Sequence, residues 1–139
     1  MRYLVSASLI LAGIIHLLPL SGLLGAERLA ALYGLDFSEP SLAILMRHRA
    51  VLFGLLGAFL MFAAFRPSLQ PLAFIAAFVS VVSFLLLAWS SGGYNAQIGR
   101  VMTADLVALV ALVSGAAAYV LNRNHKRIKH LRRPIAAPQ

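Results

Sequence analysis

Four apolar runs, each near the length that crosses a lipid bilayer, take up most of this 139-residue chain. A hydrocarbon core about 30 Å thick needs roughly 20 apolar residues in a helix. Backbone N–H and C=O groups find no partner in lipid, so such a segment must satisfy them internally, as a helix does. The runs lie at about 3–20, 42–65, 72–89 and 101–121. The expected fold is therefore all-α, an antiparallel bundle of four transmembrane helices. Only 12% of the residues are charged, against about 25% in soluble domains. That leaves too little polar surface to cover a water-soluble globule. The chain has no cysteine, which excludes disulfide staples and thiolate metal sites.

The first run, with Arg2 as a basic flank, also fits a secretory signal peptide. Cleavage after Ala26 would leave Leu24 where a small residue is needed, and the run contains His16. An uncleaved helix is the expected outcome. Pro67 and Pro71 bracket a short turn that makes helices two and three antiparallel neighbours, and Ser90 to Gly93 end helix three. Within the long first connection, Ala26 to Tyr33 reads as a short amphipathic helix with Gly34 as its C-terminal cap. Leu29, Leu32 and Tyr33 are expected on the membrane surface. Ser38, Glu39 and Pro40 read as the start of helix two.

Basic residues set the orientation. Arg2, Arg66, Arg123, Lys126, Arg127, Lys129, Arg132 and Arg133 fall on one side, and Arg28, Arg47, Arg49 and Arg100 on the other. The first side is expected to be cytoplasmic, with both termini there and residues 122–139 as a basic tail. The six tail cations, Arg123 to Arg133, are expected to meet anionic lipid headgroups rather than nucleic acid.

Small residues mark helix contacts in lipid. Ala104, Ala108, Ala111, Gly115 and Ala118 form such a seam on the fourth run. Arg47, Val51, Gly54 and Ala58 share a stripe on the second; Ala73, Ala76, Ala77, Ser80 and Ser83 lie on the third, and Ser8, Ala12 and Gly13 on the first.

Ionisable groups at membrane depth are costly and raise a functional-site hypothesis. His16, Arg47, His48, Arg49 and Asp105 fall at like depth in the outer leaflet. Arg47 and Asp105 are expected to face inward and pair, while Arg49, aligned with Leu52, Phe53, Leu56 and Leu60, is expected to snorkel to headgroups. His16 and His48 have two readings: ligands for haem or a metal, or histidines hydrogen-bonded across a helix interface. The whole belt also reads as a pocket for a lipophilic molecule with an anionic or quinone-like head. Its candidate ligand-binding residues are His16, Arg47, His48, Asp105, Tyr94, Asn95 and Arg100, with Gln97 and Trp89 at the rim. Trp89 and Tyr94 equally fit interfacial anchors. No catalytic constellation stands out: G-x-S-x-G, the P-loop and H-E-x-x-H are all missing from the sequence.

The run His16-Leu-Leu-Pro19, the segment Arg47-His-Arg-Ala-Val-Leu-Phe-Gly54 and the Asp105 helix resemble small bacterial four-helix membrane proteins of the DoxX-like type. The resemblance covers most of residues 1–121 and implies a multi-pass protein of the bacterial inner membrane. DoxX itself is linked to quinone-coupled sulfur oxidation, for which this chain shows no specific pattern. Similar chains often bear the label phosphopantetheine adenylyltransferase. That activity is not expected, because the T/H-x-G-H motif is missing and four spans leave no room for a soluble α/β fold. Two functions remain open: a membrane protein that binds a lipophilic molecule or serves as an accessory envelope subunit, alone or in a homo-oligomer or larger membrane complex; or a quinone- or haem-linked redox or lipid-modifying enzyme built on the outer polar belt.

Overall fold

The computed structural model describes residues 2–131, with side-chain burial as far as position 125. Its elements are α1 (Arg2–Leu17), a 3₁₀ segment (Leu18–Leu24), α2 (Ala26–Tyr33), α3 (Pro40–Ala64), α4 (Gln70–Ser90) and α5 (Ala96–Leu131), with no strand among the described residues. Four stretches are long and apolar enough to cross a membrane: Arg2–Leu24, Pro40–Ala64, Gln70–Ser90 and Ala96–His125.

Local chemistry explains the boundaries. Pro19 has no N–H to donate and its ring crowds the preceding turn, so the first apolar run tightens into a 3₁₀ segment after Leu17 instead of continuing as α-helix. Gly34 ends α2 at φ 65°, a left-handed conformation that glycine adopts without steric cost, and its N–H donates to the Ala30 carbonyl at 2.7 Å. The Glu39 carboxylate accepts from the Ser41 and Leu42 amides and caps α3, with Pro40 in its first turn. One turn of chain earlier, Asp36 accepts from the Ser38 amide and hydroxyl. These bonds hold both carboxyls below their usual range, the Ser38 hydroxyl bond being the largest cause at Asp36 and the Ser41 amide bond at Glu39. The last helix begins at Ala96, ahead of the expected 101, because Asn95 caps it: Asn95 Oδ1 accepts from the Ile98 amide at 2.9 Å. It then runs without a break past position 121 to Leu131.

The helix α1 lies between α3 and α5 and packs extensively on both; α4 packs on α5 and, less fully, on α3. The α1–α3 crossing is a glycine pair. A Cβ on Gly57 would sit 2.8 Å from the Gly13 carbonyl oxygen, and one on Gly13 would sit 3.0 Å from the Gly57 oxygen. Against α5, buried Ser8 fills the space that Gly115 leaves free. Leu9, Ala12, Leu60, Ala73, Ala77, Val81, Ala108 and Leu112 complete the core. The expected seam on α5 is observed, with Ala108, Gly115 and Ala118 buried. The stripe on α3 needs a correction: Gly57 is buried and Ala58 exposed, because only glycine admits the α1 backbone at this distance. The outward faces carry Leu55, Phe62, Leu72, Ile75, Leu87 and Val110, all more than half exposed. An apolar exterior of this kind suits hydrocarbon, not water.

The helix α2 also departs from expectation. Leu29 and Tyr33 do not lie on a membrane surface. They are buried with Phe37, against Met46 of α3 and Ile98 and Val101 of α5. The short helix therefore turns its apolar side inward and roofs one end of the helices. Asn95 fastens it there, donating to the Tyr33 carbonyl at 2.8 Å and the Gly34 carbonyl at 3.2 Å.

Candidate functional site

Beneath this roof lies a cavity of about 250 Å³. Apolar walls come from Ile15, Leu32, Phe84 and Val101, and polar groups from His16, Arg49, Gln97, Arg100 and Asp105. The two histidines do not share it.

Each polar group has a distinct setting. His16, at the end of α1, is 1% exposed. Its Nδ1 is 2.8 Å from the Ala12 carbonyl oxygen, which can only accept, so Nδ1 carries the proton. In the neutral ring, Nε2 is then free to accept from the Ser80 hydroxyl of α4 at 3.0 Å. The ring also stacks on Phe53 of α3, with centroids 5.5 Å apart and planes at 18°. His16 is thus a hydrogen-bonded bridge between three helices, and ligating an iron would cost it the Ser80 bond.

Arg49 stands over two aromatic rings, its guanidinium carbon 4.8 Å from the Phe53 centroid and 5.5 Å from that of Tyr33. Cation–π contacts let a charge sit beside apolar walls at reduced cost. The Asp105 carboxylate of α5 lines the same cavity as Arg49. Asp105 is only 7% exposed, and no hydrogen bond to its carboxylate forms among the described residues. Yet no buried side-chain oxygen or nitrogen lacks both a partner and an opening to free space. The Asp105 oxygens therefore open to the cavity. Arg100, exposed on α5, and Gln97 stand on the α5 wall.

Several sequence expectations change here. Arg47 does not pair with Asp105. Its stripe on α3 is covered by the 3₁₀ segment: Leu20 packs on Gly54, and the Arg47 Nε donates to the Leu23 carbonyl at 3.1 Å. The backbones of α3 and α5 stay apart, with α1 between them, and the Arg47 side chain is turned to the 3₁₀ segment. Arg49, expected to snorkel to headgroups, takes the inward role because it and Phe53 lie on the α3 flank that faces the cavity. His48 is exposed and stands apart from the cavity lining. Asn95 is engaged in the α2 latch and the α5 cap, and Tyr94 is 53% exposed beside Gly99. Trp89 is 80% exposed at the end of α4. Of the tail cations expected at headgroups, Arg123 is exposed; Arg132 and Arg133 lie outside the described residues, as do the side chains of Lys126, Arg127 and Lys129.

Sequence reasoning missed Ser80 as the His16 partner, and Tyr33 and Phe53 as the aromatic seat of Arg49. The Arg49/Phe53 spacing of one helical turn was the available signal. The assembled site offers an anionic acceptor, two guanidinium donors and apolar walls. It is equipped to hold the polar head of an otherwise apolar molecule. No protein-family profile, curated protein or solved structure matches this chain.

Proposed function

We propose that this chain is a multi-pass membrane protein of the DoxX-like type. Its four spans form an antiparallel bundle in a bacterial inner membrane, with both termini cytoplasmic, and it binds a lipophilic molecule in the cavity beneath α2. The observation that carries the reading is Asp105. An aspartate only 7% exposed, whose carboxylate has no protein hydrogen bond among the described residues and opens to a cavity, invites a donor from outside the chain. Arg49 and Arg100 beside it invite acceptors. The head group that fits presents both: a hydroxyl toward Asp105 and a carbonyl or anionic oxygen toward the guanidiniums. Quinol-type rings have that chemistry. The apolar exteriors of the spans give the molecule's tail a hydrocarbon route.

Native mass spectrometry of the protein released from mild detergent tests this. A retained lipophilic mass is expected on the wild type, diminished on Asp105→Asn and on Arg49→Gln, and unchanged on Arg47→Gln, whose side chain serves the 3₁₀ segment. Equal retention by all four proteins overturns the assignment.

A further inference from the structure

A second, larger crevice of about 660 Å³ opens at the opposite end of the helices, between the start of α1, the α3–α4 turn and α5 near Tyr119. We propose that it is a binding site for the phosphodiester head of an anionic membrane lipid.

Charge carries the argument. Arg2 and Arg123 line the crevice. The chain has four acidic side chains, Glu27, Asp36, Glu39 and Asp105, and all four belong to the far end, in α2, the α2–α3 connection and the start of α5. No acidic side chain is therefore at hand to neutralise these two guanidiniums. The backbone adds the same sign. The crevice is lined by the first turn of α1, whose leading N–H groups have no intrahelical acceptor, and that helix N-terminus presents partial positive charge. The opposing negative end, the C-terminus of α3, is already satisfied: the Ala64 carbonyl accepts from the Ser6 hydroxyl at 2.7 Å and from the Gln70 side-chain Nε2 at 3.3 Å. Tyr119 and Asn122 bring further donors to the wall. The complement of such a wall is an anion with several acceptor oxygens.

A lipid is favoured over a dissolved phosphate by the surroundings. Tyr3 and Phe65, both on the crevice wall, are 90% and 72% exposed. Apolar surface at the lip gives acyl chains a wall to lie against, which a free anion would not use. The site is independent of the cavity beneath α2 and stands whether or not that cavity is occupied.

The test is competitive lipid binding to the full chain in mild detergent, read by native mass spectrometry with equal amounts of phosphatidylglycerol and phosphatidylcholine. Preferential retention of phosphatidylglycerol is expected. A guanidinium at an anionic lipid surface is worth about fivefold in affinity, so Arg2→Gln with Arg123→Gln should lower it roughly thirtyfold. Arg28→Gln with Arg47→Gln removes the same charge from the far end and should cost far less. Arg49→Gln should leave the preference intact, which separates this site from the one beneath α2. Both crevice arginines are exposed, and an unchanged unfolding midpoint confirms that the double variant is folded; Arg123→Gln alone, expected to lose about fivefold, serves if it is not. Equal retention of the two lipids, an equal loss from the far-end pair, or displacement by inorganic phosphate would each overturn the proposal, the last by showing a site for soluble anions.

Discussion

The α1–α3 crossing gives the sharpest test of how the helices are held together. Replacing Gly57 by Ala puts a Cβ 2.8 Å from the Gly13 carbonyl oxygen and 2.9 Å from Leu17 Cγ. Replacing Gly54, one turn earlier on the same helix, puts a Cβ 2.6 Å from Leu20 Cδ1. The distances are similar but the obstacles differ. Leu20 Cδ1 is the tip of a flexible side chain that can rotate away. The Gly13 oxygen is backbone inside a helix, and it retreats only if α1 and α3 separate. Both substitutions gain the same intrinsic helix preference of alanine over glycine, about 1 kcal/mol, so their difference cancels that gain and isolates the packing cost. Forcing extra methylenes into a packed contact costs about 1–3 kcal/mol. Gly57→Ala should therefore be less stable than Gly54→Ala by about 1–2 kcal/mol. Unfolding titrations with SDS in mixed micelles, followed by far-UV circular dichroism, measure that difference. Two variants equal within error, or Gly57→Ala the more stable, would refute a backbone-to-backbone contact at this crossing.

Three further outcomes are expected. Asn95→Ala removes the latch to Tyr33 and Gly34 together with the α5 cap; it should cost about 1–2 kcal/mol and speed hydrogen exchange throughout α2, whereas unchanged exchange there would mean that the roof is held by packing alone. Ser80→Ala takes away the partner of His16 Nε2 and should cost about 1 kcal/mol in the same titration, with Ser83→Ala, whose hydroxyl bonds only its own helix, close to neutral. The carboxyls of Asp36 and Glu39 are held below their ordinary values of 3.8 and 4.5; because the folded values are the lower ones, the support they give the α2–α3 connection is complete above the ordinary values and is lost as pH falls through the depressed ones. Amide resonances of Ser38, Ser41 and Leu42 followed by NMR should shift with midpoints under 3.8 for the first and under 4.5 for the other two; midpoints at or above those values would count against the capping bonds.

The helices themselves are legible in the sequence because their causes are local. Runs of apolar residues, a proline at position 19, a glycine at 34 and a carboxylate before Pro40 act on backbone within a turn of themselves. The seam on α5 is legible too, since small residues at helical spacing have one common use in lipid. The same logic finds a stripe on α3 but cannot tell which neighbour covers it. Adjacent helical positions point about 100° apart, so taking Ala58 instead of Gly57 for the contact turns the helix far enough to matter, and only the glycine at position 13 of another helix selects between them.

The polar site shows the division most clearly. Within α3, the one-turn spacing of Arg49 and Phe53 marks a cation–π pair but does not say which flank of the helix faces inward. That choice follows from the 3₁₀ segment lying over one flank of the helix while the cavity opens on the other. His16 finds Ser80 across 64 positions of sequence, and the roof turns its leucine and tyrosine inward because Asn95 ties it down from 61 and 62 positions away. By itself, then, the sequence determined which segments become helices, because that outcome depends on neighbours along the chain. Which side chains meet was decided only by the tertiary arrangement, because such contacts depend on how whole helices lie against one another.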